Sequence, residues 1–223
     1  MNIIDASYKI EKLPSQEDIQ LIEAAGRVCY KSEEKITDTS FVDFLERIVR
    51  KGHESVLEHS MLTVRFICDR GVSHELVRHR LASFSQESTR YCNYGGDVTF
   101  ILPLYLKEGR DLYYNTEHDD GAGSLVQNLE VNKFGAWCNS MQSAATAYNT
   151  MLQWGASAQE ARAVLPNSTK TEVVMTANLR EWRHILKLRT SKAAHPQMRE
   201  LMCPLLKELK ASIPVIFDDI SGE

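Results

Sequence analysis

Between Arg78 and Tyr91 the chain reads Arg-His-Arg-Leu-Ala-Ser-Phe-Ser-Gln-Glu-Ser-Thr-Arg-Tyr, which places three arginines beside several hydroxyl side chains. The arginine guanidinium is a rigid fork of donors that suits phosphate and carboxylate groups. Ser88 and Thr89 can donate as well, and backbone N–H groups in such turns converge on anions. The segment therefore predicts a site for a phosphorylated ligand. The competing interpretation is a solvated, charge-rich loop, because short motifs also arise by chance.

The backbone conformation decides how this segment can bind. Arg78 and Arg80 would lie about 200° apart on a helix but would share one face of a strand, and only the strand lets both contact one ligand. Ser88 is interpreted as a binding hydroxyl rather than a nucleophile. A nucleophilic serine needs a positioned base, and no Gly-x-Ser-x-Gly elbow surrounds this one.

Two further groups of polar residues have spacings that suit ligand binding. His53 and Ser55 follow a predicted helix, in a turn that would present their side chains. Arg180 and His184 are four residues apart on a helix that Asn178 is expected to cap, and a helix N-terminus favours anions. The alternatives are a plain turn and an amphipathic surface helix.

Arg162 and Arg189 each stand among apolar neighbours. An arginine in such surroundings is either paired with a carboxylate or bound to a ligand. A zinc site of the kind that uses histidines four residues apart is disfavoured, because His74 and His79 are five residues apart and about 140° away from each other on a helix. No metal is predicted.

The composition limits the class of protein. The chain has 223 residues, 43% hydrophobic and 25% charged, which fits a single domain over residues 1–223. Its net charge of −4 disfavours attraction to nucleic acid or to an anionic membrane. No apolar run approaches the ~20 residues of a membrane span, and the N-terminus lacks signal-peptide features. Five scattered cysteines indicate reduced thiols, so a cytoplasmic location is expected.

The elements that must position these side chains mix helices and strands without a regular βαβ order, which favours an α+β fold. Hydrophobic spacing and capping residues predict helices over 15–30, 40–51, 73–80, 137–154, 157–165, 178–189 and 195–211, with a kink or break at Pro204. Strands are predicted over 61–68, 98–102 and 171–176. Residues 105–125 are predicted to form an insertion or mobile loop.

The order of these motifs resembles a known family. Arg78-His79-Arg80, followed after seven residues by Ser88, resembles the signature of the flavin-dependent thymidylate synthases. A second motif lies upstream, in Gly52-His53-Glu54-Ser55-Val56-Leu57-Glu58-His59. The third and fourth lie downstream: Ala161-Arg162-Ala163-Val164-Leu165-Pro166, and a last one that begins with Asn178-Leu179-Arg180 and ends in Leu188-Arg189. One such motif is a weak signal, whereas four in the family's order make a strong match.

The resemblance implies reductive methylation of dUMP to dTMP, with 5,10-methylenetetrahydrofolate as carbon donor, NADPH as reductant and FAD as mediator. It implies a thymidylate synthase-complementing protein fold of the α+β class, with a mixed or antiparallel sheet and flanking helices. It also implies a homotetramer whose sites are shared between subunits.

The resemblance also assigns roles to individual residues. It assigns Arg189 to catalysis, where it would hold the uracil ring and favour its N3-ionised form. It assigns to the cofactor His53, Ser55, Arg78, His79, Arg80, Gln86, Asn178, Leu179, Arg180 and His184. It assigns to the nucleotide Glu75, Arg78, Gln86, Glu87, Ser88, Thr89, Arg90, Arg162 and Arg189.

Two residues differ from the family pattern, and two other functions are considered. Some relatives have Gln where this chain has Glu75, and Glu where it has Gln86, which leaves the contacts of these two residues open. A nucleic-acid-binding module built on residues 78–90 is the main rival, although the acidic net charge and the lack of a continuous basic stripe weigh against it. A metal hydrolase is a weaker third interpretation.

Overall fold

The computed structural model describes residues 1–117, 129–213 and 215–222. Its strands are β1 (Asn2–Ile4), β2 (Ser7–Lys12), β3 (Met61–Asp69), β4 (Ala82–Gln86), β5 (Thr99–Ile101) and β6 (Lys170–Asn178). Its helices are α1 (Gln16–Val28), α2 (Ser40–Lys51), α3 (Arg70–Leu76), α4 (Lys107–Glu117), α5 (Leu129–Gln153), α6 (Ala158–Ala161), α7 (Leu179–Arg189) and α8 (Pro196–Ser212). Short 3₁₀ helices cover Glu33–Lys35, Glu54–His59, Leu104–Leu106 and Arg162–Val164.

The strands form two sheets. β1 and β5 pair in parallel, with Ile3 opposite Phe100. The other four strands form an antiparallel sheet in the order β2-β3-β6-β4. An antiparallel sheet with flanking helices confirms the predicted α+β class.

Contacts between Cα atoms divide the chain into two compact units. The first unit comprises Met1–Ala6, Ile67–His74 and Gln86–Glu172, and the second comprises Ser7–Phe66, Glu75–Ser85 and Val173–Glu223. The single domain expected from the sequence stays a prediction.

The core of the second unit follows from strand alternation. Leu62, Val64 and Phe66 of β3 are fully buried, while the residues between them are half-buried. Trp182 of α7 is also fully buried, and its indole Nε1 donates to the backbone oxygen of Leu62 at 2.9 Å. This contact fixes α7 against β3, so the sheet determines where the polar residues of α7 lie.

The first unit has a separate core around α5. Met141, Ala145 and Tyr148 lie on one stripe of α5 and pack against Val98 and Phe100. These residues are three, four and seven positions apart, the spacing of one helix face. The predicted stripe on this helix is therefore confirmed at Met141 and Tyr148.

Local signals set several helix ends correctly. Ser15 caps α1, because its Oγ accepts from the backbone N–H of Asp18 at 3.1 Å while the Asp18 carboxylate accepts from the N–H of Ser15. Gly52 ends α2 in the left-handed conformation, with φ of 70°. The Asn178 side chain accepts from the N–H of Glu181 at 2.8 Å and caps α7.

Other boundaries differ from the prediction. The helix expected over 73–80 is α3, which begins at Arg70 and ends at Leu76. It begins earlier than predicted because the Asp69 carboxylate accepts from the N–H of Val72 at 2.7 Å. Residues 107–117 form α4 rather than a loop, and the rest of the predicted loop, 118–125, lies outside the described residues. β1 and β2 were not predicted. Pro204 lies inside α8, so the helix does not break there, and the alternative, a kink, stays a prediction.

No helix in the described ranges combines the length and the apolar character that a membrane crossing requires.

Candidate functional site

The guanidinium of Arg189, at the end of α7, is bound on three sides within the second unit. Its Nη1 donates to the Glu75 carboxylate at 2.6 Å and its Nη2 to the Glu75 backbone oxygen at 3.2 Å. Its Nε donates to Nε2 of His79 at 3.0 Å. Folding therefore brings Arg189 to two other predicted site residues, Glu75 and His79, which precede it by more than a hundred positions in sequence. Their side chains hold the guanidinium in one orientation.

His79 is buried and neutral. Burial, and then the charges of Arg189 and His184, lower the pKa of His79 to about 4. Because Nε2 accepts from Arg189, the ring proton is on Nδ1, which lies 3.8 Å from the Glu181 carboxylate. The His184 ring approaches the same imidazole edge-on, with centroids 6.2 Å apart. At neutral pH His79 therefore acts as a hydrogen-bond acceptor for Arg189.

A turn explains why His79 points inward while its neighbours point outward. The N–H of Arg78 donates to the Glu75 oxygen and that of His79 to the Leu76 oxygen, so the chain reverses directly after α3. Arg78 and Arg80 are exposed, and neither has an ion pair with another described residue. Neither the helix nor the strand considered for Arg78 and Arg80 is present, because α3 ends at Leu76 and β4 begins only at Ala82. Both guanidinium groups remain available to an anion.

An open cavity of about 570 Å³ lies beside this turn and the start of α7. Three predicted cofactor residues, Asn178, Arg180 and His184, line it. Arg180 contacts Glu58 at 2.5 Å, but both side chains are about half exposed, so water screens the pair. The remaining lining residues are Glu54, Glu58, Leu81, Glu181 and Lys187.

The other predicted residues of the second unit lie close to these in sequence. His53 and Ser55 are exposed at the start of the 3₁₀ turn Glu54–His59, here called the 54–59 turn, which contributes Glu54 and Glu58 to the cavity. Leu179 is fully buried, so its side chain faces the core, and its backbone N–H donates to the Ser60 oxygen at 3.0 Å.

The first unit holds the predicted nucleotide segment. Arg162 donates to the Thr89 hydroxyl at 3.2 Å, and Arg90 donates through Nε to the Gln159 side chain at 2.8 Å. The Arg90 guanidinium also lies over the Tyr91 ring, 5.4 Å from its centroid. Arg90 and Arg162 are both exposed, so each presents further N–H groups to solvent. Two oriented guanidinium groups suit a phosphate.

Gln86 and Glu87 have internal partners in the same unit. Gln86 donates to the Ser73 hydroxyl at 3.0 Å, and the Glu87 carboxylate accepts from Lys170 at 3.0 Å. The Ser88 hydroxyl accepts from the N–H of Arg90 at 3.3 Å, and the Ser88 backbone oxygen accepts from the N–H of Cys92 at 2.9 Å. These bonds fix the turn that presents Arg90.

Several residues of the site were missed by the sequence reasoning. Glu181 was not predicted to belong to the site, yet it is buried beside His79 and lines the cavity. Potential ligand atoms of His79, Glu181 and His184 lie within 4.8 Å of one another, although His79 Nε2 already accepts from Arg189. The expected absence of a metal stays a prediction. Lys187 follows Arg180 and Arg183 at helical spacing, which is the signal that a face of α7 was cationic.

The fold is thus of the α+β class, and each unit carries exposed arginines that suit anionic ligands. These are Arg78, Arg80 and Arg180 in the second unit and Arg90 and Arg162 in the first. The chain belongs to the thymidylate synthase complementing protein family, which it matches over residues 12–215. The resemblance inferred from the motifs is thus confirmed.

Named relatives agree with this membership. The chain is 35% identical over 210 residues to a flavin-dependent thymidylate synthase from Corynebacterium aurimucosum, an alignment that covers 92% of this chain and 81% of the relative. It is 36% identical over 207 residues to one from Mycobacterium tuberculosis, covering 89% and 78%. A crystal structure of the UMP/dUMP methylase PolB from Streptomyces cacaoi, bound with 5-Br dUMP, is similar in fold with a TM-score of 0.76, 21% identity and coverage of 98% and 96%.

Proposed function

We propose that this chain catalyses the reductive methylation of dUMP to dTMP, with 5,10-methylenetetrahydrofolate as carbon donor, NADPH as reductant and FAD as cofactor. Family membership and relatives named flavin-dependent thymidylate synthase support this reaction over the nucleic-acid-binding and metal-hydrolase interpretations. The observation that carries the proposal is the bonded group of Arg189, Glu75 and His79, since the resemblance gives each of these residues a part in this reaction.

The donors around the cavity fit a flavin dinucleotide. Arg78, Arg80 and Arg180 offer exposed cations, which together suit a diphosphate. His53 and His184 are exposed imidazoles that can lie against an aromatic ring. The flavin supplies the redox chemistry when bound, and the protein supplies its orientation.

Arg189 is suited to stabilise negative charge on a uracil ring. Three of its five N–H groups are used by Glu75 and His79, which leaves two on adjacent nitrogens. A uracil ionised at N3 presents two neighbouring acceptors, and a preorganised guanidinium would stabilise that charge as it develops. Neutral His79 keeps the guanidinium in place without adding a second positive charge.

Arg90 and Arg162 are proposed to bind the nucleotide phosphate, with Ser88 and Thr89 beside them. Each guanidinium is oriented by one side-chain hydrogen bond, to Gln159 or to Thr89, so ligand binding orders less side-chain freedom. Their phosphate contacts would position dUMP without taking part in the chemical step.

Purified full-length protein tests the function. We expect a yellow protein with flavin absorbance that forms dTMP when dUMP, methylenetetrahydrofolate and NADPH are all supplied. A reaction without dUMP is the control for simple NADPH oxidation. Protein that neither retains FAD nor forms dTMP after FAD is added would refute the proposal.

We also propose a homotetramer with sites shared between subunits, acting in the cytoplasm, where its five free cysteines would stay reduced. Light scattering combined with the activity assay tests the assembly. A flavin-loaded monomer with full activity would contradict shared sites.

A further inference from the structure

Arg183 is a fully buried arginine in α7 that lies outside the cavity lining. Its side chain is 1% exposed, and all five of its N–H groups have a partner within hydrogen-bond distance. Nε and Nη2 approach the same Glu54 oxygen at 3.0 and 2.9 Å. Nη1 and Nη2 donate to the two Asp219 oxygens at 2.6 and 2.8 Å, and Nη1 also donates to the backbone oxygen of Ile216.

These contacts join three segments that are distant in sequence. Glu54 begins the 54–59 turn, Arg183 lies in the middle of α7, and Asp219 lies in the segment after α8. Lys187 lies 3.7 Å from Glu54 and 3.6 Å from Asp219, so a second cation supports the same two carboxylates. A buried arginine with every N–H satisfied has one stable geometry, because any displacement leaves a buried charge without a partner.

The position of Glu54 connects this group to the cavity. Glu54 stands between His53 and Ser55, and its side chain lines the cavity. A second pair between the same elements, Glu58 with Arg180, is half exposed and therefore weak. The buried Glu54–Arg183 contact is thus the stronger constraint on where the 54–59 turn lies relative to the start of α7.

We propose that Arg183, clamped by Glu54 and Asp219, is a positioning residue that sets FAD affinity by holding the 54–59 turn at the cavity. The part that concerns FAD rests on the proposed function. Arg183 and Asp219 do not line the cavity, so they act through Glu54 and its neighbours. Asp219 lies far along the chain from every residue that the sequence assigns to a ligand, and it becomes a determinant of cofactor binding.

The test replaces Asp219→Asn in the full-length protein and measures the FAD dissociation constant by fluorescence titration. We expect about a tenfold rise, the loss typical of one charge-assisted hydrogen bond. Asp219→Glu should recover part of the affinity, because it restores the charge. Glu11→Gln is the matched control: Glu11 accepts from Arg65 at 2.6 Å on the surface of the same unit, and its loss should leave FAD affinity within about twofold.

Hydrogen–deuterium exchange provides a second measurement that does not depend on FAD. Residues 54–59 should exchange faster in Asp219→Asn than in the parent or in Glu11→Gln, at a temperature where circular dichroism shows all three folded. Arg183→Lys should show the same change, and if it fails to fold, Asp219→Asn decides the matter alone. If the parent binds FAD, an Asp219→Asn variant with the same FAD affinity as the parent would overturn the clamp. Equal exchange rates at residues 54–59 in the variant and the parent would overturn it as well. A parent that binds no FAD would instead refute the proposed function, and the exchange result would then refute or support the clamp by itself.

Discussion

The neutral state of His79 predicts a specific loss of stability in acid. Its pKa falls from an ordinary 6.5 to about 4 in the folded protein, so the unfolded chain binds a proton more readily than the folded one. The stability that this difference provides is complete above pH 6.5 and is lost progressively as the pH falls towards 4. From pH 7.5 to pH 5 the loss attributable to His79 is roughly 2 kcal/mol.

Urea unfolding followed by circular dichroism measures this loss. The parent should lose about 2 kcal/mol more than His79→Gln over the same pH interval, because the variant has no imidazole to protonate. His74→Gln is the matched control, since His74 is an exposed histidine on α3 and should leave the pH dependence of the parent unchanged. Equal pH dependence in the parent and in His79→Gln would refute a buried, neutral His79. It would also remove the reason for assigning its Nε2 as the acceptor for Arg189.

Three further predictions follow from other parts of the chain. Arg189→Ala should lower turnover on the order of 10²-fold while FAD content stays near that of the parent, and near-normal turnover in steady-state assays would exclude Arg189 from the mechanism. Cys92→Ser and Cys92→Ala should keep dTMP formation within several-fold of the parent, because a nucleophilic thiol needs a dedicated cation and Arg90 already donates to Gln159. Loss of all activity in both variants, with FAD retained, would show a catalytic thiol. Gly52→Ala should lower the free energy of unfolding in urea titrations by about 1 kcal/mol, because Gly52 has a left-handed φ. Gly135→Ala, at a position in α5 where an added Cβ has open space, should be neutral or stabilising, and equal effects of the two substitutions would contradict strain at position 52.

The sequence predicted the elements whose signals are local. Alternation in β3 and the caps at Ser15 and Asn178 depend on residues a few positions apart, and all three are confirmed. Strands β1 and β2 contain no buried residue, so neither has a strongly apolar face from which a strand could be predicted. The start of α3 depends on Asp69, a residue that from the sequence could equally be the last residue of the preceding strand.

For the candidate site, too, local features could be predicted from the sequence and long-range contacts could not. Its residue types were predictable, because arginines and histidines at fixed spacings stand out in a sequence. Their partners were not, since Glu75 and Arg189 are 114 positions apart and meet only in the folded chain. The burial of Arg183 was equally unpredictable, because its carboxylate partners lie in segments that precede and follow it by more than thirty residues.

The uninterrupted course of α7 has a consequence for heritable variation in this gene. About 13.5 Å of helix separates Arg180 at its first turn from Arg189 at its last, and each residue adds about 100° of rotation. A single inserted or deleted codon between them would leave Arg180 beside Glu58 but turn Arg189 away from Glu75 and His79 by more than a quarter of a circle. A change in the length of α7 should therefore impair the site even where every residue that lines the cavity is kept.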